Sequence, residues 1–247
     1  MELLAVAAAG GLCVGSFLNT CIYRVPRGLS LLRPRSHCPK CGRALAVSEL
    51  IPLWGYLRQR GRCRHCGEAI GAGYPLVELG AAALAVMSIL IEGLSPAFLR
   101  TFGLACVFLA IAVVDYRHRI IPNVFVGAGL VIALLGAPWG GTISALESAV
   151  GFLVAGGGFA LARAAYARVR GREGMGAGDV KLAALMGAGL GAGGWLLATL
   201  LGSLAAVTAG VALILGGRAT WHSPLPYGSF LSGAAIAVLL GFGFLPR

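Results

Sequence analysis

The sequence predicts an all-α polytopic membrane protein of about eight transmembrane helices with a small cytoplasmic zinc-ribbon-like insert. Three observations carry this expectation. Of 247 residues, 58% are hydrophobic and 12% charged, with a mean hydropathy of +0.85, whereas a soluble domain carries roughly 25% charged residues. Apolar runs near the ~20 residues that cross a bilayer recur from end to end. The long polar segment between the first two runs holds two Cys-x₂-Cys pairs.

The apolar runs lie at about 3–23, 75–92, 97–115, 123–137, 145–163, 179–191, 195–216 and 228–245. The first is preceded by Glu2 and followed by Arg24. A cleavable signal peptide carries its positive charge first, so this order predicts a retained helix with its N-terminus outside. Basic residues test the remaining runs. The segments 24–74, 116–122, 163–181 and 217–227 hold eighteen of the twenty Lys and Arg, leaving only Arg100 and Arg247 for the opposite side. Short cytoplasmic loops collect positive charge. The expectation is a multi-pass inner-membrane protein with both termini outside. A net charge of +11 then reflects loops facing anionic headgroups of the lipid bilayer, and no nucleic acid partner is expected. Glycines such as Gly11 and Gly15 are expected to let helices approach closely.

Residues 24–74 form the cytoplasmic insert. Cys38, Cys41, Cys63 and Cys66 stand in two Cys-x₂-Cys pairs 21 residues apart, each followed by a glycine, Gly42 or Gly67. That spacing points to structural Zn²⁺, two thiolates from each pair, with no position left open for water. Disulfides are the alternative, but they seldom persist in the cytosol. His37 and His65 are secondary ligand candidates. Cys13, Cys21 and Cys106, inside apolar runs, are expected to be buried small hydrophobes.

Nine residues are acidic and only two are aspartates, Asp115 and Asp179. Both fall where an apolar run meets a basic loop, and ionisable groups at membrane depth mark functional sites. Two unit charges ~4 Å apart repel by about 4 kcal/mol at an effective dielectric near 20, so such a pair favours holding one proton between its members. One carboxylate then activates water while the protonated one polarises a carbonyl. The plainer reading is two separate aspartates, one capping a helix and one paired with a loop arginine. Gly176 and Gly178 favour the first reading, because missing side chains let a peptide approach Asp179. Pro122 places a break shortly after Asp115.

The chain resembles the type IV prepilin peptidase family, the bacterial leader peptidase/N-methyltransferases among the GxGD aspartyl proteases. The resemblance runs through Gly15-Ser16-Phe17-Leu18-Asn19, the segment from Arg33 to Gly42, Ile51-Pro52-Leu53 and Tyr74-Pro75-Leu76-Val77-Glu78. It continues through Asp115 to Asn123, Gly174 to Leu182 and Pro226-Tyr227-Gly228.

It implies an aspartic endopeptidase that cleaves the leader of type IV prepilins or type II secretion pseudopilins after glycine, on the cytoplasmic side, with Asp115 and Asp179 catalytic. It further implies N-methylation of the new terminus with S-adenosylmethionine, and supporting roles for Lys181, Glu49 and Glu78. On this reading residues 1–23 are the first transmembrane helix, 24–74 the four-cysteine methyltransferase region and 75–247 the peptidase bundle. The insert is too small for a Rossmann domain and has no glycine-rich dinucleotide fingerprint, so the second activity rests on the resemblance alone. Competing readings are a GxGD peptidase without methyltransferase activity and a non-enzymatic membrane transporter or assembly scaffold. The cysteines argue against the former, and the lack of a second copy of the insert against the latter.

Overall fold

Backbone polar groups have no water to bond inside a bilayer, so apolar runs of this length fold as helices. The computed structural model describes residues 1–139, 143–172, 174–220 and 223–241. Among them run α1 (Glu2–Arg24), α2 (Val47–Leu50), α3 (Trp54–Arg58), α4 (Gly73–Glu92), α5 (Pro96–His118), α6 (Asn123–Gly136), α7 (Ala145–Arg170), α8 (Ala177–Leu215) and α9 (Tyr227–Gly241). Five helices, α1, α4, α5, α7 and α8, are long and apolar enough to cross a membrane, and α6 and α9 are shorter apolar helices. The last residues of the eighth expected run, and Arg247, lie outside the described residues.

The runs expected at 179–191 and 195–216 fall within α8, whose 39 residues would measure about 58 Å, well beyond the roughly 30 Å of hydrocarbon. Its helical path is interrupted at Gly191, where φ is 72° and ψ is 173°, a conformation essentially reserved for glycine.

The chain divides into two compact units, Met1–Leu90 and Ile91–Arg247. In the first, α1 crosses α4 at its small residues. A Cβ added at Gly11 would lie 2.6 Å from Ala82 Cα, and one at Gly15 would lie 2.6 Å from Glu78 Cα. Only part of α1 is covered, including Gly11, Gly15, Leu18 and Ile22. Cys13 therefore lies exposed on α1, contrary to expectation, while Cys21 is buried.

In the second unit α7 packs along α8, α8 against α9, and α5 against α6 and α9. Gly151 and Gly187 meet so closely that a Cβ on either would collide with the other's carbonyl oxygen. Just before Gly191, Ser148 Oγ donates to Ala188 O at 2.6 Å and Arg100 Nη2 to Gly189 O at 3.2 Å. These side chains serve carbonyls in the turn where the helical ladder is interrupted. Arg100, near the opposite end of α5 from Asp115, is 2% exposed. Cys106 is buried in the same helix. Leu153, Leu161, Leu200 and Leu204 are exposed on α7 and α8, an arrangement suited to lipid.

Candidate active site and cysteine cluster

Asp115 lies in the last turns of α5, which stop at Arg119 in the left-handed region, its N–H bonded to Asp115 O at 2.8 Å. The carboxylate is 6% exposed. Its Oδ2 accepts from the Ser229 backbone N–H at 2.7 Å and from Ser229 Oγ at 3.1 Å, and that hydroxyl also donates to Ala112 O at 2.8 Å. Ser229 sits in the first turn of α9, so Asp115 caps that helix from another part of the chain, a stabilising place for a carboxylate. Gly228 makes room: a Cβ there would lie 3.0 Å from Asp115 Cγ and 3.1 Å from Ile121 Cδ1.

Asp179 occupies the first turn of α8, whose N-cap is Gly176. Its N–H donates to Gly176 O at 3.2 Å. A Cβ at Gly176 would stand 3.3 Å from Asp179 Oδ2, and one at Gly178 3.2 Å from Ile121 Cβ. Ile121 therefore packs on the glycine before Asp179 and on the glycine against Asp115. The two carboxylates lie within electrostatic range of each other. The capping half of the plainer reading is realised at Asp115, but neither aspartate forms an ion pair with an arginine among the described residues. Lys181 donates to Asn123 Oδ1 at 2.8 Å, tying the start of α8 to the start of α6.

In the first unit the two Cys-x₂-Cys segments fold alike. Cys38 N–H bonds Arg43 O at 3.0 Å and Gly42 N–H bonds Cys38 O at 2.9 Å; the matching bonds are Cys63 to Glu68 at 2.8 Å and Gly67 to Cys63 at 2.9 Å. Gly42 and Gly67 adopt φ of 71° and 72°, turns that glycine supplies without strain. Isolated antiparallel bridges, His37 with Ala44 and Arg62 with Ala69, close the two hairpins. All four sulfurs lie within 4.8 Å of one another, and Cys38 Sγ is 3.8 Å from Cys66 Sγ. Edges of this length suit a tetrahedron of thiolates about a metal ion with ~2.3 Å bonds. Backbone N–H groups of Cys66 and then His65 hold the Cys63 thiol down to about 7, favouring the thiolate a metal needs. Lys40 and Glu68 pair across the hairpins at 2.6 Å.

Glu49 and Glu78 also belong to this unit. Glu49 Oε2 accepts the Ala46 N–H at 2.7 Å at the start of α2, and Glu78 Oε2 accepts the Leu53 N–H at 2.8 Å. Both line a cavity of about 240 Å³. Ser229, Ile121 and Asn19 were not singled out from the sequence. Ser229 follows the Pro226-Tyr227-Gly228 motif, and Asn19 ends another; Ile121 gives no signal beyond its nearness to Asp115.

Fold and site together define an integral membrane protein of apolar helices with two helix-end aspartates whose neighbouring glycines share contact with Ile121. The model of the Bacterial Peptidase A24 N-terminal domain matches residues 10–91, and that of the Type IV leader peptidase family matches residues 102–213. Among curated relatives, a "Prepilin leader peptidase/N-methyltransferase" of Burkholderia pseudomallei is 36% identical, over 96% of this chain and 84% of its own. Proteins with the same name are 36% identical in Pseudomonas aeruginosa, over 94% of this chain and 88% of theirs, and 34% identical in Bacillus subtilis, over 97% and 95%. No solved structure matches the chain. The chain belongs to the type IV leader peptidase family.

Proposed function

We propose that this protein is a membrane aspartic endopeptidase that removes the leader of type IV prepilins or type II secretion pseudopilins after glycine, and then methylates the new N-terminus. The placement of the chain's two aspartates about one side chain, Ile121, which packs on Gly178 before Asp179 and on Gly228 against Asp115, carries the first activity. Between two close carboxylates one proton is retained. The ionised member takes a proton from water as that water attacks the scissile carbonyl. The protonated member hydrogen-bonds the carbonyl oxygen and delivers its proton to the leaving amine. Ser229 holds Asp115 in place, and the bare backbone at Gly176 and Gly178 leaves room for an extended peptide beside Asp179.

Eight membrane passages follow if α8 is counted as two segments across Gly191 and if α6 and α9 each span a locally thinned bilayer. The basic loops support an orientation with both aspartates on the cytoplasmic face of a bacterial inner membrane and both termini outside. The four thiolates hold structural Zn²⁺. S-adenosylmethionine supplies a methyl from its sulfonium to the neutral terminal amine, leaving a thioether and one released proton. Membership of an enzyme family, with named peptidase relatives along nearly the whole chain, speaks against a transporter or scaffold.

The test is cleavage of a prepilin by the purified protein in detergent. Asp115→Asn and Asp179→Asn should each reduce the rate at least a hundredfold, on the order of a lost acid or base. Near wild-type cleavage by either variant would overturn the paired-aspartate mechanism. Labelled S-adenosylmethionine in the same reaction tests methyl transfer.

A further inference from the structure

Ile121 stands in the connection between α5 and α6, against glycines beside both aspartates. A methyl placed on Gly178, the residue before Asp179, would lie 3.2 Å from Ile121 Cβ. One placed on Gly228 would lie 3.1 Å from Ile121 Cδ1 and 3.0 Å from Asp115 Cγ. Carbon atoms pack without strain at about 3.5–4.0 Å. One isoleucine side chain therefore closes the gap between the start of α8 and the start of α9, leaving less than a methyl's width at each glycine. Gly176, Gly178 and Gly228 bare the backbone around the carboxylates, and Ile121 fills part of what they clear.

The side chain is held stiffly. It branches at Cβ, which restricts its rotamers, and it precedes Pro122, which biases its backbone to extended conformations. Pro122 is the N-cap of α6 and accepts the Phe125 N–H at 3.1 Å. Asn123 Oδ1 in turn accepts from Lys181 Nζ at 2.8 Å. Asp179 and Lys181 both lie near the start of α8, so that bond ties the chain just after Ile121 to the helix end that carries Asp179. Ile121 is thus a fixed wall beside the aspartates.

For hydrolysis the scissile carbonyl must come within hydrogen-bond reach of the carboxylates, about 2.6–3.2 Å. The residue that owns this carbonyl then lies alongside Ile121, where a hydrogen fits and a methyl does not. We propose that Ile121 is the specificity-determining residue that restricts the last position of the leader to glycine. The inference rests on the peptidase reading above, and it locates the glycine preference in one side chain. A wall of carbon atoms discriminates by size, so alanine and serine are excluded alike.

Purified full-length protein in detergent, given competing prepilins whose leaders end in glycine, alanine or serine, tests this through the ratio of their kcat/KM values. The wild type should favour glycine over alanine by roughly 10–200-fold, the range that one carbon commands in a closed apolar pocket. Ile121→Ala should bring the ratio to within about threefold, the gain appearing on the alanine leader. Ile121→Val, which lacks only Cδ1, should fall between the two. An unchanged ratio in Ile121→Ala overturns the proposal and assigns the glycine requirement to the backbone freedom of the substrate itself. Should Ile121→Ala cleave neither leader, Ile121→Val decides, and a wild-type ratio there overturns the proposal. Complete loss in both variants overturns it too, because Ile121 would then belong to the framework of the site. A wild type that cleaves alanine leaders as fast as glycine leaders overturns it while peptidase activity stands. A wild type that cleaves no prepilin removes the peptidase reading itself.

Discussion

Ser229 donates both its backbone N–H and its hydroxyl to one oxygen of Asp115, at 2.7 and 3.1 Å. The hydroxyl is the part a substitution removes. A hydrogen bond to a charged group contributes roughly 1.5–3 kcal/mol, and the backbone donor remains. Ser229→Ala should therefore lower the rate of prepilin cleavage about tenfold, far less than Asp115→Asn. Initial rates with purified protein compare the two, and equal losses would show that Ser229 does more than position Asp115.

Two glycines give a graded steric test. A methyl at Gly228 meets the Asp115 carboxyl carbon at 3.0 Å, whereas one at Gly178 meets the Ile121 side chain at 3.2 Å. Gly228→Ala should damage cleavage more than Gly178→Ala. Adding Ile121→Ala should restore part of the activity of Gly178→Ala, read as a positive coupling in a double-mutant cycle.

Metal content should depend on all four thiolates. The wild type should purify with about one zinc ion per chain, and Cys38→Ser should lose most of it, because a tetrahedral site closes only with its full ligand set. Elemental analysis reads this directly. Zinc unchanged in Cys38→Ser would assign the metal elsewhere.

At the break in α8, Gly191→Ala forces a side chain into a glycine-only conformation, and strain of this type costs about 1–3 kcal/mol. Ser148→Ala leaves the Ala188 carbonyl without its 2.6 Å donor, a loss of about 1 kcal/mol. Both variants should melt earlier than wild type in detergent, Gly191→Ala the more so. An unchanged melting temperature for Gly191→Ala would mean that the break relaxes freely.

Hydropathy and basic loops made the helical membrane character legible, and Cys spacing made the thiolate cluster legible, because both are local patterns. The interruption at Gly191 also left a local trace in the glycine-rich stretch around it. Asp115 and Asp179 stood out in the sequence through their rarity and position. What covers them was not legible: Ser229 reaches Asp115 from 114 positions away, and nothing periodic marks it. The burial of Arg100 was not legible either. Loop charge is a statistical signal, whereas its burial depends on the carbonyls of Ala133 and Gly189, which only the packed bundle brings to it. Cys13 was misplaced because hydropathy does not distinguish the protein-facing side of a membrane helix from its lipid-facing side.

The twin cysteine hairpins have a topological consequence. Between Cys41 and Cys63 the chain forms a loop whose two ends meet at the cluster, and α2, α3, Glu49, Leu53 and Tyr56 all lie on that loop. A metal ion there acts as a clasp on a necklace. Fastened, it removes the wandering of some twenty residues, an entropy that grows only as the logarithm of loop length and so is gained almost entirely at the moment of closure. An ion held there would govern whether the residues strung along that loop keep a fixed address.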